Sequence, residues 1–216
     1  MTMHNHSHEI NITNEKKTQL VIYLTFFAML FEIIFGYLTK SMALLADGFH
    51  MLTHAFALFL AYVAYVLARK FANSDKFKNG TEKIKTLAAY TSSIFLGITG
   101  VWIIIEAFIR LINPLQIKFD EAIIVAVIGL FVNGICILIM ENKKHKNDND
   151  YNFKAAYYHI LADVLTSILA IAALLLGKYY NFIYLDSITG ILGGVLILKW
   201  AIGLIKHTVK ILVDMT

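Results

Sequence analysis

Six stretches of nearly continuous apolar residues constrain this chain more than anything else in it. They run from about Gln19 to Leu38, Met42 to Leu67, Leu87 to Ile109, Ala122 to Met140, Ala155 to Gly177 and Ile183 to Ile205. Each is near the ~20 residues a helix needs to cross the hydrocarbon core of a bilayer. Composition agrees: the chain is 58% hydrophobic and only 16% charged, with the charges clustered between the apolar runs. A soluble domain would carry roughly a quarter charged residues. The expected fold is therefore an all-α membrane protein with six transmembrane helices in one bundle. Most connections are short, which implies antiparallel, up-and-down neighbours. The polar segments Arg69 to Thr86 and Glu141 to Lys154 are the exceptions, and no internal repeat is visible.

Basic residues orient the bundle. With both termini cytoplasmic, the inner segments hold most of the Lys and Arg, among them Lys16, Lys17, Arg69, Lys70, Lys143, Lys144 and Lys206. The outer loops then hold Lys40, Arg110, Lys118 and Lys178, and that asymmetry favours termini inside. Lys16 and Lys17 ahead of an apolar run resemble the start of a signal peptide, but the run is too long and lacks a small-residue cleavage site. It reads as the first spanning helix. The expected division is a flexible cytoplasmic tail over 1–18, a transmembrane domain over 19–206 and a short cytoplasmic tail over 207–216. The first tail contains His4, His6 and His8 in the run HNHSH, which is either an incidental polar sequence or a transient catch for soft divalent ions. A single cysteine, Cys136, excludes an internal disulfide and a Cys-rich zinc module.

Polar residues inside the spans carry the functional signal. An unpaired charge is costly in a bilayer, so Glu32, Asp47, His50, His54, Glu106, Asn133, His159 and Asp163 must face the bundle interior. His50 and His54 are four residues apart in the second helix, and His159 and Asp163 are four apart in the fifth. That spacing stacks two side chains on one helix face, about 6 Å apart along the axis. The second and fifth helices run antiparallel in a six-helix bundle, so His50 should lie level with Asp163 and His54 level with His159. Two such rungs supply four candidate metal ligands, His50, His54, His159 and Asp163, able to close a tetrahedron. Asp47 shares the face one turn outward, either as an acceptor orienting an imidazole or as an outer-gate residue. Glu32 is a further carboxylate that could offset the charge of a bound ion. A proton relay through the same groups is the competing reading. HExxH is absent, which sets aside an intramembrane metalloprotease, and no GxxxxGK[ST] loop for ATP is present.

These segments also resemble a known family. SMALLADGFHM at Ser41 to Met51 and HILADVLTSILAI at His159 to Ile171 are similar to the metal-binding second and fifth helices of cation diffusion facilitators, a family of divalent-metal exporters. Glu32 and Gly36, Glu106 before Arg110, Asn133, and Asp186 with Gly190 also fall where that family has such residues. The family usually places Asp four residues after the first ligand of the second helix, where this chain has His54. ADGFHMLTHA with AAYYHILADVLTS instead resembles the cobalt- and nickel-exporting branch. Members commonly continue into a cytoplasmic, dimerising domain, whereas this sequence stops at Thr216, so dimerisation through such a domain is not carried over.

The resemblance implies a non-enzymatic antiporter in a bacterial plasma membrane, exchanging cytoplasmic metal for protons by alternating access. No cofactor is expected; the metal ion is the transported substrate. The expected partners are divalent ions, protons and lipid, with a homodimer possible and no nucleic acid. Three imidazoles and one carboxylate suit cobalt, nickel or zinc and disfavour magnesium or calcium, which prefer oxygen shells. Zinc export is the alternative, and a non-transporting metal sensor a more distant one. Gly190 and Gly194 in the sixth helix and Gly97 with Gly100 in the third could serve either a rocking motion or close static packing.

Overall fold

In hydrocarbon no water satisfies backbone N–H and C=O groups, so spanning segments close their hydrogen bonds internally as helices. The computed structural model describes residues 4–71, 82–140 and 151–214, with side chains described for 20–71, 83–139, 161 and 163–214. It contains α1 (His4–Thr39), α2 (Met42–Lys70), α3 (Glu82–Ile112), α4 (Phe119–Met140), α5 (Tyr151–Tyr180) and α6 (Tyr184–Leu212), and no strand among the described residues. All six are long and apolar enough to cross a membrane. The all-α, six-span architecture is thus as expected, and the chain is an integral, multi-pass membrane protein. Large apolar side chains such as Phe27, Ile98, Phe131, Leu138 and Leu169 are exposed on its outer surface, which is the lipid-facing pattern.

The helices outrun the apolar segments. α1 is helical from His4, through the segment proposed as a tail, although its candidate span begins at Leu20. α3 starts at Glu82 and α6 continues to Leu212. Hydropathy marks where lipid ends, not where the helix must stop, so polar residues wind on past it. The side chains of His4, His6 and His8, and the segments 72–81 and 141–150, lie outside the described residues.

Four helices, α1, α2, α4 and α5, enclose one interior: α1 packs on α2 and α4, α4 on α5, and α5 on α2. α3 and α6 form an extensive pair that packs against α2. At one end of the bundle, here called the loop end, lie the three short connections at 40–41, 113–118 and 181–183. The opposite end, which carries the first and last helix ends, is the tail end. Lys40 and Asn181 take left-handed φ of 61° and 60°, which lets the connections at 40–41 and 181–183 reverse the chain in so few residues.

The loop end is fastened by buried polar contacts. Ser41 caps α2, its Oγ accepting from the Leu44 N–H at 3.2 Å. Asp186 at the start of α6 accepts from Ser41 Oγ (2.7 Å), the Met42 N–H (2.7 Å) and the Ala43 N–H (3.1 Å). A carboxylate against exposed N–H groups at a helix N-terminus is favoured both by hydrogen bonding and by the helix dipole. Arg110 of α3 donates to the Lys40 carbonyl (3.0 Å) while pairing with Glu106 (2.9 Å), and the Lys118 N–H donates to the Thr39 carbonyl (3.0 Å).

Close helix approach explains some of the glycines. A methyl on Gly100 would lie 3.1 Å from the Gly194 carbonyl oxygen, and one on Gly194 would lie 3.1 Å from that of Gly100. α3 and α6 therefore meet backbone to backbone at this pair, the small-residue packing typical of membrane helices. Gly190 faces Met42 of α2 and Ala107 of α3, whereas Gly97 only approaches Ala201 at an ordinary 3.7 Å.

Candidate metal site

α2 presents Asp47, His50 and His54 to the interior on successive turns, and α5 answers with Ser167 and Asp163. His50 and Asp163 are both buried and face each other, His50 Nε2 lying 3.5 Å from Asp163 Oδ1. The antiparallel register of α2 and α5 produces this rung. The His50 and His54 rings stand 4.7 Å apart, edge to face, as residues four apart on one helix should. His159 lies one turn from Asp163 within α5, but its side chain is outside the described residues. Among the described residues no three His, Cys, Asp or Glu side chains close into a metal-holding group. The described part of the candidate set is therefore one rung, His50 with Asp163, and His54 one turn further toward the tail end.

Asp47 occupies the next turn toward the loop end. Its Oδ1 accepts from Thr166 Oγ1 at 2.8 Å and its Oδ2 from Ser167 Oγ at 2.7 Å. These bonds tie Asp47 to α5, so this carboxylate orients against hydroxyls of the facing helix. Neither Thr166 nor Ser167 was singled out from sequence. The available signal was their place in the ADVLTS run, three and four residues after Asp163, on the same face.

Glu32 enters the same interior from α1. It is 1% exposed, and its carboxylate oxygens find no hydrogen-bond partner among the described residues. Glycines make room for it on both neighbours. A Cβ on Gly48 of α2 would lie 3.2 Å from Glu32 Cβ, and one on Gly129 of α4 would collide with Glu32 Oε1. Asn133, one turn from Gly129 on α4, is equally buried and its amide is likewise without a partner among the described residues. Buried polar groups of this kind normally find partners or serve a function.

Trp200 of α6 also reaches the site. Its indole lies 5.3 Å from the His50 ring and 6.1 Å from the His54 ring, centroid to centroid. Sequence gave no reason to single it out, because contact depends on α6 lying along α2.

The arrangement is an intramembrane set of imidazoles and carboxylates on facing helices, and comparison with known proteins agrees with that chemistry. The family profile described as the cation efflux transmembrane domain matches residues 18–213. The chain belongs to the cation-efflux family. Relatives within it include a Bacillus subtilis protein named cadmium, cobalt and zinc/H(+)-K(+) antiporter, 32% identical over 214 residues, covering 99% of this chain and 67% of that one. The zinc transporter ZitB of Pectobacterium atrosepticum is 34% identical over 213 residues, 99% of this chain and 65% of its own. The metal cation efflux system protein CzcD of Cupriavidus metallidurans is 30% identical over 209 residues, 97% of this chain and 65% of its own. The chain thus spans about two thirds of the length of these relatives. As a member of the cation-efflux family with bacterial relatives and six spans, it fits the expected setting of a bacterial plasma membrane.

Proposed function

We propose that the chain carries divalent transition-metal ions out of the cytoplasm, in exchange for protons, by alternating access to a site formed by His50, His54, His159 and Asp163. The observation that carries this reading is the buried His50–Asp163 rung between antiparallel α2 and α5. A nitrogen and a carboxylate donor face each other there in a bundle interior, where such groups are expensive unless used. Both termini face the cytoplasm in this reading, following the distribution of Lys and Arg.

The donor set argues for cobalt, nickel or zinc. His54 in place of the family's usual Asp supports cobalt and nickel. Zinc fits equally well by comparison, since relatives are named for zinc, cadmium and cobalt. A divalent ion held with Asp163 as its one carboxylate ligand keeps a positive charge, and Asp47 and Glu32 lie in the same interior to offset it. Histidine binds metal only when neutral, so a proton entering from the far side displaces the ion.

The test is uptake of Co, Ni, Zn, Mn and Cd into inverted vesicles under an imposed pH gradient, for the wild type and Asp163→Ala at matched expression. Loss of a ligand should weaken metal binding by more than the roughly 100-fold upper limit typical for residues that only orient one. Wild-type uptake should collapse with the gradient. Full uptake by Asp163→Ala, or uptake that survives loss of both pH gradient and membrane potential, would overturn the reading.

A further inference from the structure

Two cavities flank the candidate site. One, of about 330 Å³, lies between α2, α5 and α6 toward the loop end and is lined by Asp47, His50, Thr166 and Thr189 among others. The second, of about 490 Å³, lies between α2, α3 and α6 toward the tail end and is lined by His54, Ser92, Lys199 and His207 among others. The cavities follow one another along parallel α2 and α6, the first bordered by residues 43–50 and 189–200, the second by 53–57 and 199–207. One residue lines both, Trp200.

The helix register accounts for this placement. A Cβ on Gly193 would lie 3.2 Å from Ala46 Cβ, so that face of α6 looks at α2. Residue 200 lies seven positions, nearly two full turns, further along the same face, and α2 advances by a similar distance from Ala46 to the interval between His50 and His54. The indole therefore lies against both imidazoles at the plane where the cavities meet, 5.3 Å from one ring and 6.1 Å from the other. Its neighbours on the α6 face are smaller or less polar: Gly193 and Leu196 before it, Gly203 and Leu204 after. The ring, 42% exposed, lines both cavities and presents a large apolar face between them. Ions and their water cross apolar constrictions poorly, because the constriction does not wet.

We infer that Trp200 is the gating residue of the transport path: its indole partitions the loop-end cavity from the tail-end cavity and must move for the site to change sides. This rests on the transport reading above and adds the element that prevents the two cavities from joining. His54 borders only the tail-end cavity and His50 only the loop-end one, so each imidazole is reached from its own side. With the indole in place, an ion passes from one side to the other only through the ligands and not around them. That is the condition for exchange instead of leak.

The test uses the full chain in sealed vesicles, with Cys136→Ala as background and no metal present. Thr189→Cys reports on the loop-end cavity and Ser92→Cys on the tail-end one. A membrane-impermeant thiol reagent is applied from each face in turn. With Trp200 present, each cysteine should react from its own side. In Trp200→Ala, Thr189→Cys should react from the tail side about tenfold faster or more, equivalent to about 1.4 kcal/mol off the barrier to crossing. Trp200→Phe, which keeps an aromatic plug, should restore most of the protection. Unchanged cross-reaction in Trp200→Ala, with normal reaction from the loop side to report the fold, would overturn the proposal. If Trp200→Ala does not insert, Trp200→Leu takes its place under the same two criteria. Because labelling needs no metal, its failure leaves the metal site standing, whereas failure of Asp163→Ala to affect uptake removes the metal path but not the partition between the cavities that labelling reads.

Discussion

Asp186 lies far from any candidate ligand, yet its removal should be among the most damaging single changes in the chain. Its carboxylate is 1% exposed and accepts three hydrogen bonds, from Ser41 Oγ and from the first two N–H groups of α2. Hydrogen bonds to a charged group contribute about 1.5–3 kcal/mol each in soluble proteins. Side-chain bonds between membrane helices average nearer 0.6 kcal/mol, because the separated helices also find partners. Three bonds at those values span about 2–9 kcal/mol, and with Ser41 still able to cap Leu44 and the membrane value the closer guide, Asp186→Ala should cost about 2–4 kcal/mol. Asp186→Asn keeps an acceptor but loses the charge, and should cost about half as much. SDS-induced unfolding in mixed micelles, followed by far-UV circular dichroism, measures both. A cycle with Ser41→Ala isolates the shared bond and should give a coupling of about 0.5 kcal/mol or more. Asp186→Ala within about 0.5 kcal/mol of wild type, or zero coupling to Ser41, would show that the loop-end fastening is not what holds α6 to α2. Metal affinity should fall too, since Met42 precedes His50 by eight residues, about 12 Å of helix, and its displacement carries the imidazole with it.

His54→Asp leaves two imidazoles and two carboxylates, so zinc uptake should persist while cobalt and nickel lose ground. A metal competition series in the same vesicles checks this, and an unchanged order would remove His54 as the selectivity residue. Gly194→Val places a branched side chain against the Gly100 carbonyl and Ile103, and should destabilise the bundle by about 1–3 kcal/mol in the same SDS titration. A neutral result would mean that α3 and α6 separate without cost at their closest approach.

The spans were legible because hydropathy is a one-dimensional property: the bilayer sorts residues by composition over ~20 positions regardless of partners. Helix ends were less so, since α1 and α6 continue beyond the lipid-facing run. The His50–Asp163 rung was legible too, from four-residue spacing and an odd–even argument about helix direction. What the sequence could not supply is anything set by lateral neighbours. Asp47 is bound by Thr166 and Ser167 only because α5 lies beside α2 at that height. Asp186 caps α2 only because α6 starts beside it, and Trp200 meets both imidazoles for the same reason. Gly97 and Gly100 look alike in sequence, but only Gly100 touches the opposing backbone.

Buried polar contacts fasten the loop end of the bundle, and that bears on how the site opens. Toward the loop end α2 is tied to α6 through Asp186 and to α5 through Asp47, and the connection before α2 is tied to α3 through Arg110. Lys178 pairs with Asp120 at the same end, joining α5 to α4. At the tail end Lys83 of α3 pairs with Asp214, just past the end of α6, 2.8 Å apart and exposed, of the kind that contributes little. Parting helices at the loop end therefore sacrifices buried, charge-assisted bonds such as those of Asp186 and Asp47. The carboxylate of Asp47 stands on the loop-end side of His50 and the imidazole of His54 on the tail-end side. An ion reaching His54 through the tail-end cavity thus meets an imidazole first, and must pass the rung before it meets the carboxylate that is already engaged by two hydroxyls.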